Sequence, residues 1–548
     1  MQARVPVSTY RFQFNREFAF EQAAALVDYL RELGVGDCYS SPVLTAKPGS
    51  PHGYDVVDHG KINPELGTEE EFGAFARSLR ANGMGLLMDV VPNHMCISSS
   101  ENGWWLDVLE NGPSSPYARF FDIDWNPPNP HLTNRVLLPI LGDQYGRVLE
   151  NQEIRITYRG GAFFANYYET HLPIAPRTST HVLAVALREL RARVDESHPD
   201  VLELESIITA LGHLPPRTET ESARIRERRR EKEVVKRRLA SLVKESAEAR
   251  HAVYEALTEV NGRKGQPQSF DLLERLMNEQ AYRLSFWRVA ADEINYRRFF
   301  DINELAAVRV EERPVFTAVH EIVLRLIKQG LVTGLRVDHV DGLFNPEKYL
   351  HDLQRECRSA AGKGGGDTGT LSEDGQNIVV ESSGGRELPF YVVVEKILGH
   401  DELLRAEWPA HGTTGYDFMN LLNGVFVDQT NAQAFRELYS GFIERRVSFA
   451  DLLYHCKKLI LRVAMSSELH VLTSRLDKIA GQHRASRDFT FNGLRDALGE
   501  VIACFPVYRT YIRRRHTSLH PDDRLHIKSA VSEAKRRDPA ISASVYDF

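Results

Sequence analysis

Three stretches of this sequence set ionisable side chains directly behind apolar runs: Asp89-Val-Val-Pro-Asn-His94, Gly334-Leu-Arg-Val-Asp-His-Val-Asp-Gly342 and Val392-Val-Val-Glu-Lys396. Arg336 and Asp338 are two apart, so in a strand they share a face, where the guanidinium would keep the aspartate ionised and oriented. Glu395 caps a run of four apolar residues. Partial desolvation there would raise its pKa and hold a proton near neutrality. One ionised and one protonated carboxyl group are what paired nucleophilic and acid–base chemistry requires. Lys396 points the opposite way in an ideal strand and takes no acid–base role. Taken singly, each stretch is also what a hydrogen-bonded structural group looks like; the three together carry the weight. Glu381, in Ile378-Val-Val-Glu-Ser-Ser, also follows an apolar triplet. It sits in Gly/Ser-rich text and lacks the Lys-Ile-Leu that follows Glu395, so Glu395 is preferred.

The elements that must position these groups alternate. Residues 8–12, 37–43, 85–91, 332–337 and 390–394 read as strands, with a sixth near 416–422. Helical spacing covers 20–33, 69–80 and 317–329. Repeated strand-then-helix units imply a parallel sheet with helical crossovers, whose carboxyl ends carry the chemistry in a barrel. Residues 95–176 are aromatic, Pro- and Gly-rich and read as an irregular insertion; 178–288 read as almost wholly helical. Within the latter, 225–239 (IRERRREKEVVKRRL) is charge-dense. A nucleic-acid patch is one reading and a solvated helix the preferred one. Glu227 and Glu231 repel at that spacing, so the helix must lean on packing elsewhere. Residues 362–386 read as a surface loop, and those from 430 onward as helical.

The 548 residues carry 68 Lys+Arg against 75 Asp+Glu, a net charge of −7, which argues against nucleic acid as partner. The length suggests a large barrel or several packed units, and 42% hydrophobic residues are ample for globular folding. Five scattered cysteines without a paired CxxC suggest reduced thiols, hence a cytoplasmic setting and no zinc site. No apolar run approaches the roughly 20 residues of a membrane-spanning helix, and the start lacks the apolar region of a signal peptide.

The three stretches resemble regions of the α-amylase superfamily, (β/α)₈ barrels acting on α-linked glucans. Further text narrows the resemblance to the maltooligosyltrehalose synthase family: Ser8-Thr-Tyr-Arg11, Ser41-Pro-Val-Leu-Thr-Ala-Lys-Pro-Gly-Ser-Pro-His-Gly-Tyr-Asp55, Tyr296-Arg-Arg-Phe-Phe-Asp-Ile-Asn303, Val394-Glu-Lys-Ile-Leu398 and His411-Gly-Thr-Thr-Gly-Tyr-Asp417. The resemblance implies Asp338 as nucleophile and Glu395 as general acid/base, in a retaining reaction whose carboxyl groups stand about 5–5.5 Å apart. It implies that Tyr54, Asp55, Asp89, His94, Arg336 and His339 contact the sugar. A buried Asp–His pair for Asp89 and His94, and a plain core tyrosine for Tyr54, are the alternatives. Asp341 is evenly divided between sugar contact and turn stabilisation. Trp104 and Trp105 are read as core packing. Asn93 is a calcium ligand in some relatives, but the resemblance implies neither metal nor cofactor.

The implied substrate is a maltooligosaccharide or other α-1,4-glucan, the product a trehalosyl-ended glucan, and the functional partner a maltooligosyltrehalose trehalohydrolase that consumes it. A non-catalytic glucan-binding protein and an α-amylase-type hydrolase are the alternatives. The implied division is a first part of the barrel over 1–94, an irregular insertion over 95–177, a helical insertion over 178–290, more barrel over 291–425 and a helical region over 426–548. The family's third carboxylate lies in a Thr-His-Asp-Thr-Lys-Arg text, which these residues do not contain. His351-Asp352 and His400-Asp401 do not fit it. Six strand signals also fall short of eight. The expectation is a chain truncated at its carboxyl end, with activity by itself severely reduced or absent.

Overall fold

The computed structural model describes residues 3–362, 388–513 and 519–548. The expected loop over 362–386, save Gly362, and the alternative carboxylate Glu381 lie outside the described residues. The chain folds as two units: residues 1–96, 308–459 and 496–548 form one, and residues 97–307 and 460–495 the other.

A five-stranded parallel sheet organises the first unit. Its strands, in spatial and chain order, are Thr9–Phe12, Asp37–Ser40, Gly85–Val90, Gly334–Val337 and Tyr391–Val394. The third, fourth and fifth are apolar runs buried along nearly their whole length, as strands covered on both faces must be. Helix Glu69–Ala81 between the second and third strands starts with a reciprocal cap between Thr68 and Glu71 and buries Phe72, Phe75 and Leu79. These rings meet Phe12, Phe14 and Phe20, with Phe20–Phe72 centroids 5.3 Å apart and Phe14–Phe75 5.9 Å. The span expected as one helix over 20–33 is two, Phe20–Ala24 and Val27–Leu33, the second stopped by Gly34 at φ 87°.

The sixth strand is not where the sequence suggested. Residues 416–422 lie in a helix, Tyr416–Gly424. The parallel hydrogen bonds to the fifth strand come from just upstream: His411 N–H donates to Val392 C=O (2.7 Å), Val394 N–H to Gly412 C=O (3.0 Å) and Thr414 N–H to Val394 C=O (3.1 Å). Gly412 within that short run and Gly415 just after it, both at positive φ, hide it from a reading based on apolar runs. Helices Tyr416–Gly424 and Ala432–Phe442 bury no residue, and Phe426 and Phe442 are 82% and 86% exposed.

In the second unit, residues 95–176 are more regular than expected. They hold an antiparallel sheet of Ile154–Arg159, Ala162–Tyr167 and Thr170–Pro173, and the strand Val136–Leu141. That strand pairs in parallel with Tyr282–Phe286, which interrupts the span read as wholly helical. A five-residue strand whose partner lies far upstream has no local signature. The charge-dense run belongs to helix Ser222–Glu245, and its solvated reading holds only in part. Arg228 and Lys232 are buried. Lys232 and Lys236 both pair with Glu110, and Val235, Leu239, Leu242 and Val243 are buried, so packing does carry this helix. Trp105 packs edge-on to Phe121 at 4.9 Å in the core. No helix among the described residues is long and apolar enough to cross a membrane.

Candidate active site

The register of the sheet brings the predicted groups together. Asp89 and Arg336 are direct cross-strand partners on the third and fourth strands. Arg336 Nη1 donates to Asp89 Oδ1 at 2.9 Å, to Asp89 Oδ2 at 3.1 Å and to Asp338 Oδ1 at 2.6 Å. Backbone pairing continues past the strands: Asp338 N–H donates to Val90 C=O (2.9 Å) and Glu395 N–H to Val337 C=O (2.8 Å). Glu395 therefore emerges beside Asp338 on the neighbouring strand. Its Oε2 accepts from the His339 N–H at 3.1 Å, with His339 Nδ1 4.0 Å away.

His339 reaches that position through a left-handed backbone, φ 44° and ψ 51°. A non-glycine residue there is uncommon and stores local strain. It turns the chain sharply into Val340–Gly342, where a side chain at Gly342 would put its Cβ 2.4 Å from Asn93 Oδ1. Asn93 is thus wedged against this turn. Its Nδ2 lies 3.3 Å from the ring of His94, which is buried and whose Nε2 lies 3.2 Å from the Tyr54 carbonyl.

Tyr54 belongs to the cluster through its hydroxyl, which donates to Asp89 Oδ2 at 2.7 Å, and through its ring, 5.8 Å from the Arg336 guanidinium carbon. Asp55 does not reach Asp89 or Arg336. Its carboxylate accepts from Ser50 at 2.5 Å and its carbonyl from the Lys47 N–H, so it shapes the loop that carries Tyr54. Asp341, in the turn after Asp338, holds the buried Lys396 ammonium at 2.9 Å, an ion pair that stabilises this turn. His351 and Asp352 lie in helix Pro346–Ala360, and the His400 and Asp401 side chains are exposed.

Sequence reasoning missed Tyr39 and Arg11. Tyr39 donates to Asp89 Oδ2 at 2.7 Å, and Arg11 to the Tyr54 hydroxyl at 3.1 Å. Tyr39 pairs in register with Leu87, two residues before Asp89, so strand alternation alone puts it on the Asp89 face. Also unforeseen is the segment after helix Phe491–Ala503: the Tyr508 ring stands 5.9 Å from that of His339.

The electrostatics follow from burial. Desolvation pushes Asp338 up to about 7; the Arg336 guanidinium opposes this, while Asp89 and Glu395 add to it. Desolvation likewise pushes Asp89 above the usual carboxylate range, against Arg336 and the two tyrosine hydroxyls. Tyr54 is pushed up to about 12 by burial and by Asp89, which keeps it a donor. For Arg336 burial acts downward, and the nearby carboxylates outweigh it. The expectation that Arg336 alone fixes Asp338 as a carboxylate is thus too simple: burial and two like charges compete with one cation.

This geometry meets clear relatives. Residues 24–146 match the family model for the α-amylase catalytic domain. Over 483 residues, 86% of this chain, it is 30% identical to a Mycobacterium tuberculosis protein named "Putative maltooligosyl trehalose synthase", of which it spans 44%. The solved maltooligosyltrehalose synthase from Arthrobacter ramosus superposes with a TM-score of 0.67 at 29% identity, covering 98% of this chain and 52% of that one.

Over most of its length the chain is similar to maltooligosyltrehalose synthases.

A hypothetical maltooligosyl trehalose synthase from Sulfolobus tokodaii superposes with a TM-score of 0.61 at 26% identity, covering all of this chain and 54% of that one. The parallel sheet is accordingly part of the (β/α)₈ fold of the α-amylase superfamily, with extra helices. The chain spans about half the length of these maltooligosyltrehalose synthase relatives.

Proposed function

We propose that the site performs intramolecular transglycosylation at the reducing end of maltooligosaccharides, turning the last α-1,4 linkage into α,α-1,1. The observation that carries this is the emergence of Asp338 and Glu395 from adjacent parallel strands, beside one arginine–aspartate–tyrosine cluster. A retaining mechanism needs one attacking carboxylate and one proton donor facing the same anomeric carbon.

In the first step Glu395 gives its proton to the glycosidic oxygen while an Asp338 oxygen attacks C1. The C1–O bond breaks, leaving a β-linked glycosyl ester on Asp338 and a free glucose. In the second step that glucose turns over, and Glu395 takes the proton from its α-anomeric hydroxyl as the oxygen attacks C1. The ester breaks, Asp338 is regenerated, and two inversions leave an α,α-1,1 bond. Water entering in place of the glucose gives hydrolysis, so enclosure decides the outcome. Asp89, Tyr54, His94 and His339 are the groups assigned to the sugar, and Arg336 acts by holding Asp89 and Asp338. Asp55 takes part through the Tyr54 loop.

The trehalosyl-ended product calls for a hydrolase that releases trehalose, the maltooligosyltrehalose trehalohydrolase class. The scattered cysteines, none of them in a disulfide among the described residues, support a reducing, cytoplasmic setting.

Incubating the protein with maltopentaose tests the reaction. Reducing ends fall if it isomerises and rise if it hydrolyses. A net rise would replace the isomerase reading with a plain amylase.

A further inference from the structure

The strand ladder aligns Asp338 and Glu395, but the turns beyond those strands are fixed by a separate set of groups. Lys396 points away from Glu395 and is buried, its side chain 1% exposed. Its ammonium lies 2.9 Å from Asp341 Oδ2 and 2.7 Å from Glu402 Oε1. Asp341 sits in the turn Val340–Gly342 that follows Asp338. The residue after Glu395 is thus tied to the turn after Asp338. The other oxygen of Asp341 accepts from the Tyr511 hydroxyl, and Arg509 Nη1 donates to the carbonyls of Asp341 and Leu343, each at 2.7 Å.

Tyr511 is itself held on all sides. The guanidinium carbons of Arg405 and Arg509 stand 5.3 Å from its ring centroid and the Lys396 ammonium 5.7 Å. Trp408 meets the ring edge-on at 5.0 Å. Arg405 donates to Asp523 Oδ1 at 2.5 Å, and the same oxygen accepts from the Tyr511 N–H at 3.4 Å. Asp341 and Glu402 pair with Lys396 and Asp523 with Arg405, while Arg509 is held by backbone carbonyls, so a half-buried hydrogen-bonded network forms around one phenol. Networks of this kind specify a single geometry more than they add stability. Burial and the neighbouring Asp341 keep the phenol protonated, so its hydroxyl remains a donor.

We propose that Lys396, Asp341 and Tyr511 are a positioning latch, which sets the separation of Asp338 and Glu395 by clamping the turns that follow their strands. The latch rests on the roles proposed for those two carboxylates. It also explains why Lys396 is buried beside an acid–base residue without taking part in proton transfer.

The test is Tyr511→Phe in the full chain, which removes one hydroxyl and keeps the ring among its cations. Asp338 faces Arg336, Asp89 and Glu395, so its titration, followed by carboxyl ¹³C NMR, reports the distance to Glu395 without needing turnover. The titration moves by about half a pH unit or more, while the thermal midpoint stays within about 3 °C of the parent. With maltopentaose, kcat falls about tenfold or more while KM changes less than about twofold. Lys396→Arg keeps the parent titration and Lys396→Met shifts it. An unmoved Asp338 titration in Tyr511→Phe overturns the latch, whatever Lys396→Met does. Full turnover in Asp338→Asn is a different failure: it removes the nucleophile assignment and leaves the titration result standing.

Discussion

Arg336 Nη1 lies 2.6 Å from Asp338 Oδ1, and the same nitrogen bridges to both oxygens of Asp89. One cation therefore serves two buried carboxylates. Arg336→Met leaves both without a counter-charge, a loss on the order of 3–5 kcal/mol for breaking a buried pair. The carboxylates can escape by taking up protons, so the loss is larger at pH 8 than at pH 5. Urea unfolding at the two pH values checks this, and an equal loss at both would refute the shared-cation account.

Asp338, pushed up to about 7, must be ionised to attack. In the unliganded enzyme kcat/KM therefore falls about tenfold per pH unit below 7, on the acid side. Stability runs the other way. The folded state holds this proton more tightly than an ordinary aspartate at 3.8, so stability from this group is lost as pH rises between about 4 and 7. Asp338→Asn abolishes turnover, and its stability advantage over the parent grows from pH 5 to pH 8. A constant difference in unfolding midpoint would contradict the raised titration.

Glu395→Gln removes the proton donor and leaves Asp338 in place. Maltopentaose conversion falls about 10²- to 10⁴-fold. α-Maltosyl fluoride, whose fluoride leaves without protonation, still forms the glycosyl ester, observable as a mass increase on Asp338. Equal loss with both substrates would assign Glu395 another role.

Two buried histidines set the acid limit of stability. Burial holds His59 down to about 3 and His320 down to about 4. His320 bonds the Phe316 carbonyl and the Tyr349 hydroxyl at 2.8 Å each and stacks on Phe316. Both stay neutral when folded and protonate on unfolding, so their stability is present above 6.5 and lost as pH falls toward 4, by about 1.4 kcal/mol per unit each. In that window they oppose Asp338, two groups against one, and the balance is a net loss. His320→Gln removes one proton from the uptake measured by the pH dependence of urea unfolding; an unchanged slope would exclude His320.

The helices Tyr416–Gly424 and Ala432–Phe442, with Phe426 between them, expose Phe418, Leu421, Phe426, Phe435, Leu438 and Phe442. Exposed apolar groups on this scale bind apolar dyes. Phe426→Asp together with Phe442→Asp lowers dye fluorescence while changing stability by no more than about 0.5 kcal/mol, because neither ring is buried. A large loss of stability would show that these rings pack in solution.

The sequence by itself determined the alternating strand–helix plan, the apolar strands ending in Asp89, Asp338 and Glu395, and the shared face of Arg336 and Asp338. Each rests on a period of two or on the contrast between apolar run and polar end, which neighbouring residues suffice to display. Only the tertiary structure decided which groups surround those carboxylates. Tyr39 and Arg11 come from strands whose pairing is non-local, Asp55 turns into its own loop, and Tyr511 arrives from 170 residues beyond Asp341. The upward shift of Asp338 likewise comes from burial and from Asp89 and Glu395 on neighbouring strands. Sheet register and desolvation are properties of the folded whole, and no stretch of sequence contains them.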